Sequence, residues 1–153
     1  MLTLRKPTAD LLVPDGLAPD PALARTTHLA IGAHQDDLEI MASEGIVTCY
    51  QQPDQWYTGV VVTNGGGTPR SGIYGNYTDE DMIQVRNKEQ KKAAFVGEFA
   101  AQFLLDFPSS RVKDGADQGP INDLAAIIEA TRPEIIYTHN LADKHDTHIG
   151  VTL

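Results

Sequence analysis

At 153 residues the chain has the length of one compact domain built around one core. A hydrophobic content of 41% excludes a disordered chain, and a formal net charge of -9 argues against nucleic acid or an anionic membrane surface as partner. The single cysteine, Cys49, excludes an intrachain disulfide framework and a Cys-rich zinc site, and it reads as a small core residue.

Residues 1–26 hold four of the nine prolines and read as an arm over the surface, with one short strand at DLLV. This segment has no signal-peptide layout, and no stretch approaches the roughly 18 apolar residues of a membrane span. A cytoplasmic protein is therefore expected. THLAIGA (27–33) is a short apolar run and reads as a buried strand. In 37–52 the residues Leu38, Met41, Ala42, Gly45, Ile46 and Cys49 follow a helical period, so one helix is expected up to Pro53. WYTGVVVTNGGG (56–67) reads as a β-branched strand running into a glycine loop. A long Gly/Tyr loop follows, and then a helix from Thr78 or Asp79 with acids in its first turn. AAQFLLDF (100–107) is a third strand, the segment after Pro120 a third helix, and EIIYTHN (134–140) a fourth strand.

Strands alternating with helices predict an α/β fold of Rossmann-like type, three layers α/β/α, with a mainly parallel sheet and the 28–33 strand near its middle. In such sheets ligands sit beyond the carboxyl ends of the strands. His34, Asn64 and His139 all lie at or just after such ends. His34 is followed by Asp36 and Asp37, two acids that repel each other unless they cap a helix or face a cation. After the fourth strand, THNLADKHDTH places His145 and His148 three residues apart, on one side of a helix mouth. Two imidazoles with one carboxylate suit Zn²⁺ with one position left open, and the second aspartate is then free to accept a proton.

Together, GAHQDDLE and THNLADKHDTH resemble the signatures of the LmbE/PIG-L family of zinc-dependent sugar deacetylases, and RNKE (86–89) is similar to the family's R-x-x-E. The resemblance implies hydrolysis of the N-acetyl group of an N-acetylglucosamine-type conjugate, with release of acetate and the free amine. It implies His34, Asp37 and His148 as zinc ligands and Asp36 as general base toward the water at the metal. His145 would be a cation beside the substrate carbonyl, and Arg86 would point into the pocket toward substrate hydroxyls or a phosphate. The alternatives are a metal-binding α/β module without activity and a metal-dependent amidase on a non-sugar substrate.

Two departures stand out. Gln35 replaces the usual proline and reads as a tolerated spacer. In H-D-T-H the aspartate falls one residue early, so Asp146 either supports His145 or caps the next helix. The expected division is an arm over 1–26 and a deacetylase-like domain over 27–153 that lacks the family's C-terminal part. In that case a further segment, or another copy in a homo-oligomer, would supply the missing pocket wall.

Overall fold

The computed structural model describes residues 2–153. Five strands form one sheet: β1 (Asp10–Leu12), β2 (His28–Gly32), β3 (Tyr57–Thr63), β4 (Ala101–Phe107) and β5 (Ile135–Tyr137). Their order across the sheet is β1-β4-β3-β2-β5. β4, β3, β2 and β5 run parallel, and β1 pairs antiparallel with β4, Leu11 opposite Phe103. β3 holds the middle place and β2 lies beside it, near the middle as the sequence predicts, between β3 and the β5 edge.

Alternation along the buried strands divides the core in two. Leu29, Ile31, Val60, Val62, Phe103 and Leu105 face one side. There they meet Leu23 of α1 (Pro19–Ala24), Val112 of α5 (Ser109–Val112), Ile127 of α6 (Gln118–Thr131) and Val151 of α7 (Asp146–Thr152). Ala30, Val61 and Leu104 face the other side, against Leu38 of α2 (Asp37–Met41), Cys49 of α3 (Ser43–Cys49) and Ala94 of α4 (Asp79–Val96). Two helical layers enclose a mostly parallel sheet, as the β/α alternation predicts. Cys49 is a buried core residue.

Local chemistry sets the helix bounds. Thr78 and Asp81 form a reciprocal capping box at the start of α4, whose first turn carries Asp79, Glu80 and Asp81. Asp117 caps α6 by accepting the Gly119 N–H, so the helix begins ahead of Pro120. The single helix expected over 37–52 is instead two. Ala42, at φ -119° and ψ 21°, leaves helical geometry between α2 and α3. Beyond that break Gly45 abuts the Tyr137 ring, where a Cβ would come within 2.6 Å. The strand expected over 134–140 is only three residues long, Ile135–Tyr137, and among the described residues it pairs with β2.

Strand order locates the crevice. The chain moves from β2 through β3 to β4 in one direction, then returns to place β5 on the opposite side of β2. Loops leaving the carboxyl ends of β2 and β5 diverge there, the usual ligand position in an open parallel sheet.

Candidate metal centre

The loop after β2 begins at Ala33 and carries His34 to Asp37 into α2. Asp36 sits in the left-handed region at φ 88°. That turn sends two adjacent carboxylates to different places. Asp37 is buried and its Oδ2 accepts the His34 backbone N–H at 2.7 Å. Asp36 stays more than half exposed, and Arg86 Nη2 donates to its Oδ2 at 2.8 Å.

The loop after β5 returns His148, on the first turns of α7, to the same point. His34 Nδ1 lies 3.5 Å from Asp37 Oδ2, His148 Nε2 lies 3.5 Å from that same oxygen, and the two ring nitrogens are 3.3 Å apart. Three potential donor atoms thus form a near-equilateral triangle, although His34 and His148 are 114 residues apart in the chain. Burial works against charge on Asp37, but its contacts with His139 and with the ring and backbone N–H of His34 outweigh that and hold its pKa well below the usual carboxylate range. An ionised, buried carboxylate between imidazoles is a donor set for a divalent cation.

Two other groups of three also converge: His34 with His145 and His148, and Asp37 with His139 and His148. His139 is buried and stacks on His148 with ring centroids 3.9 Å apart. Its Nε2 lies 3.3 Å from Asp37 Oδ2, but it also accepts the Ala33 N–H at 2.9 Å, which engages its lone pair in the neutral ring. His145 stacks on the other face of this array, 4.5 Å from His148, and its Nδ1 accepts the Thr147 N–H at 3.3 Å. In the neutral ring the proton is therefore on Nε2. Burial, followed by the neighbouring imidazoles of His148 and His34, pushes the His145 pKa down. The cationic His145 expected from the sequence is disfavoured here, because each nearby imidazole that charges raises the cost of charging the next.

Arg86 lines the cleft, but its guanidinium has protein partners. Besides Asp36 it donates to Glu89 Oε2 at 2.6 Å and to the Gln35 carbonyl. Gln35 is more than a spacer. It is buried, its side-chain amide reaches the Thr63 carbonyl and Asn87, and it fills the space beside Gly65. Gly65 has φ 73°, and a Cβ there would overlap Gln35 Oε1, so both conformation and space require glycine. Asp146 begins α7 as a first-turn acid, and among the described residues neither imidazole of the H-D-T-H pair bonds to it. Asn64 accepts the Gly66 N–H within the glycine loop.

Sequence reasoning did not single out Asp143 or Gln90, and it marked His139 by its place at a strand end without giving it a role. Asp143 accepts from the His145 backbone N–H and from His148 Nδ1, both at 2.9 Å, and Gln90 Oε1 accepts the Asp36 N–H. The Asp-x-His spacing at 143–145 was the available signal for the first of these, since aspartate readily caps the N–H two residues on. Gln90 carries no such mark, for it reaches Asp36 only through the packing of α4. Around these residues is an open cleft of about 480 Å³, walled by Thr68, Pro69, Ser109 and Lys113.

The family described as PIG-L, GlcNAc-PI de-N-acetylase, matches residues 29–153, from the second residue of β2 to the residue after α7. The chain belongs to the PIG-L family. No curated protein matches it. The PIG-L match spans both loops that form the donor triangle, so the converging residues lie within the family's own region. Among the described residues no helix is long and apolar enough to cross a membrane.

Proposed function

We propose that this PIG-L chain is a zinc-dependent deacetylase that hydrolyses the N-acetyl group of an N-acetylglucosamine-type conjugate. The observation that carries the reading is the triangle of His34, Asp37 and His148. Donors 2.0–2.2 Å from a tetrahedral zinc stand about 3.3–3.6 Å apart, and the three observed separations of 3.3, 3.5 and 3.5 Å suit that edge. Zinc held there would polarise the amide carbonyl and lower the pKa of water toward about 7.

The chain's own residues supply the rest. Asp36 stands on the cleft wall as proton acceptor for the attacking water. Arg86 holds its Oδ2, and among the described residues its Oδ1 carries no hydrogen bond. Gln90, holding the Asp36 N–H, fixes the left-handed turn that aims the carboxylate. His145 presents an Nε2–H to the cleft, suited to donate to the carbonyl oxygen as negative charge grows there, while the proton that Asp36 takes from the water is the one returned to the departing amine. Arg86, already paired, orients Asp36 before it orients any substrate. Water and the amide then give acetate and the free amine.

The test is a panel of N-acetylglucosamine conjugates and simple N-acetyl amides, with acetate release measured beside zinc content. Acetate from the sugar conjugates alone supports the reading. Acetate from simple amides alone would move the activity to a non-sugar amidase. Bound zinc with no acetate from any compound would leave a metal-binding module.

A further inference from the structure

We propose that Asp143 is a positioning residue for the cation site, setting the tautomer of His148 so that Nε2 turns its lone pair toward Asp37 and His34. The inference rests on the metal reading above and adds a residue to it. Asp143 Oδ2 lies 2.9 Å from His148 Nδ1, and its Oδ1 accepts the His145 backbone N–H at 2.9 Å. One carboxylate therefore fixes the turn that enters α7 and one nitrogen of the imidazole that α7 carries. A carboxylate only accepts, so the shared proton resides on Nδ1 and the opposite nitrogen is left as acceptor. That opposite nitrogen, Nε2, is the one 3.5 Å from Asp37 Oδ2 and 3.3 Å from His34 Nδ1.

The other groups around His148 do not do this work. His139 and His145 stack on its two faces with interplanar angles of 12° and 19°, which restrains the tilt of the ring but not the position of its proton. His34 and Asp37 stand at the Nε2 side. Asp146, the aspartate inside the H-D-T-H motif, is bonded to neither imidazole among the described residues. Asp37, the other carboxylate near the ring, stands 3.5 Å from Nε2, too far for a good hydrogen bond, so Asp143 at 2.9 Å decides between the two ring nitrogens. A carboxylate on the far nitrogen of a metal-bound imidazole typically contributes 10- to 100-fold in metal affinity.

Asp143→Asn separates this role from a merely structural one. Asparagine still offers Oδ1 to the His145 N–H, so the turn is kept. It presents an NH₂ group to His148 Nδ1, which then has to accept, and the ring proton is driven to Nε2. The measurements are zinc dissociation constants by chelator competition and imidazole ¹⁵N shifts of the metal-free protein at pH 8. The expected result is a zinc dissociation constant raised about 10- to 100-fold in Asp143→Asn. Its metal-free melting temperature should stay unchanged, and its His148 proton should move from Nδ1 to Nε2. Asp143→Ala should lose the affinity and also loosen the turn. Parent-like zinc affinity in Asp143→Asn, or a parent His148 protonated at Nε2, would overturn the proposal. If the parent bound no zinc, the metal reading would fall, and the tautomer alone would decide on Asp143: a proton on Nδ1 upholds the contact, a proton on Nε2 ends it.

Discussion

Asp36 and Asp37 are adjacent and chemically identical, yet one backbone angle gives them different surroundings. The left-handed φ of 88° at Asp36 is a conformation that aspartate tolerates better than most residues but still at a cost, and such strain gathers at functional sites. Asp37→Ala removes one corner of the donor triangle and is expected to abolish zinc retention after gel filtration. Asp36→Asn keeps the side-chain volume and an oxygen for Arg86, so zinc content and melting should match the parent. Acetate release should drop about 10²- to 10⁴-fold, the usual loss when a general base is removed. Metal analysis beside the rate decides the matter, and the reverse pattern would exchange the two roles. Both aspartates were conspicuous in the sequence because like charges rarely sit together at a strand end without a reason. The pairing of Asp36 with Arg86 was not, since 50 residues separate them and the chemistry of either alone also suits a solvated surface.

Among the elements, α7 carries His148, has His145 as its N-cap and is seated on α5 through Gly150. A Cβ at Gly150 would lie 2.6 Å from the Val112 carbonyl oxygen, a backbone atom that cannot swing aside. Gly150→Ala should therefore shift the helix as a body, costing about 1–3 kcal/mol as overpacking does, and weaken zinc binding without touching a ligand. A melting curve and a chelator competition check this; unchanged zinc affinity would mean that α7 is free to adjust. At the other end of the fold, α6 anchors the N-terminal segment. Asp123 is buried and accepts the Arg5 backbone N–H through both oxygens, at 3.0 and 3.2 Å. Burial pushes its pKa up, against the opposing pull of Arg5. The folded chain therefore holds this proton to higher pH than the unfolded chain does. Between the two values the folded state binds more protons, and stability falls as pH rises. Asp123→Asn removes that slope, so its urea midpoint relative to the parent should be higher at pH 7 than at pH 4. An equal difference at both pH values would show that the carboxyl titrates alike folded and unfolded. Existence and type of the long elements were legible from the acids that open a helix and from β-branched runs, as in α4 and β3. The break at Ala42 was not, because apolar spacing continues across it and only the fit of Gly45 against Tyr137 reveals the bend.

Across the whole molecule, the site exists only because β5 returns to the side of β2 away from β3. Local pattern announces β2 and β5 separately but contains nothing that orders them in the sheet, so the triangle was visible from motif resemblance rather than from physics. Strand order also leaves one segment lightly anchored. β5 pairs over three residues with β2 alone, Ile135 and Ile136 are 44% and 46% exposed, and α7 adds only Val151 to the first core face. The segment from 138 to 152 is thus attached by little apolar burial, and such segments open locally before the core does. A cation bound by His34, Asp37 and His148 would tie that segment to the loop after β2. Zinc at 1,000 times its dissociation constant stabilises the bound form by about 4 kcal/mol. If local opening of the C-terminal segment breaks the site, the whole of that gain should appear there. Amide hydrogen exchange should therefore slow in 138–152 and in 34–37 on adding zinc, by up to about 1,000-fold, and recover with chelator. Amides of β3 and β4 that exchange only through global unfolding should slow as well, since unfolding also releases the metal. Those of β1 and the start of α6, which open without disturbing the triangle, should not change. Protection that spared 138–152 while reaching β1 would place the metal elsewhere on the molecule.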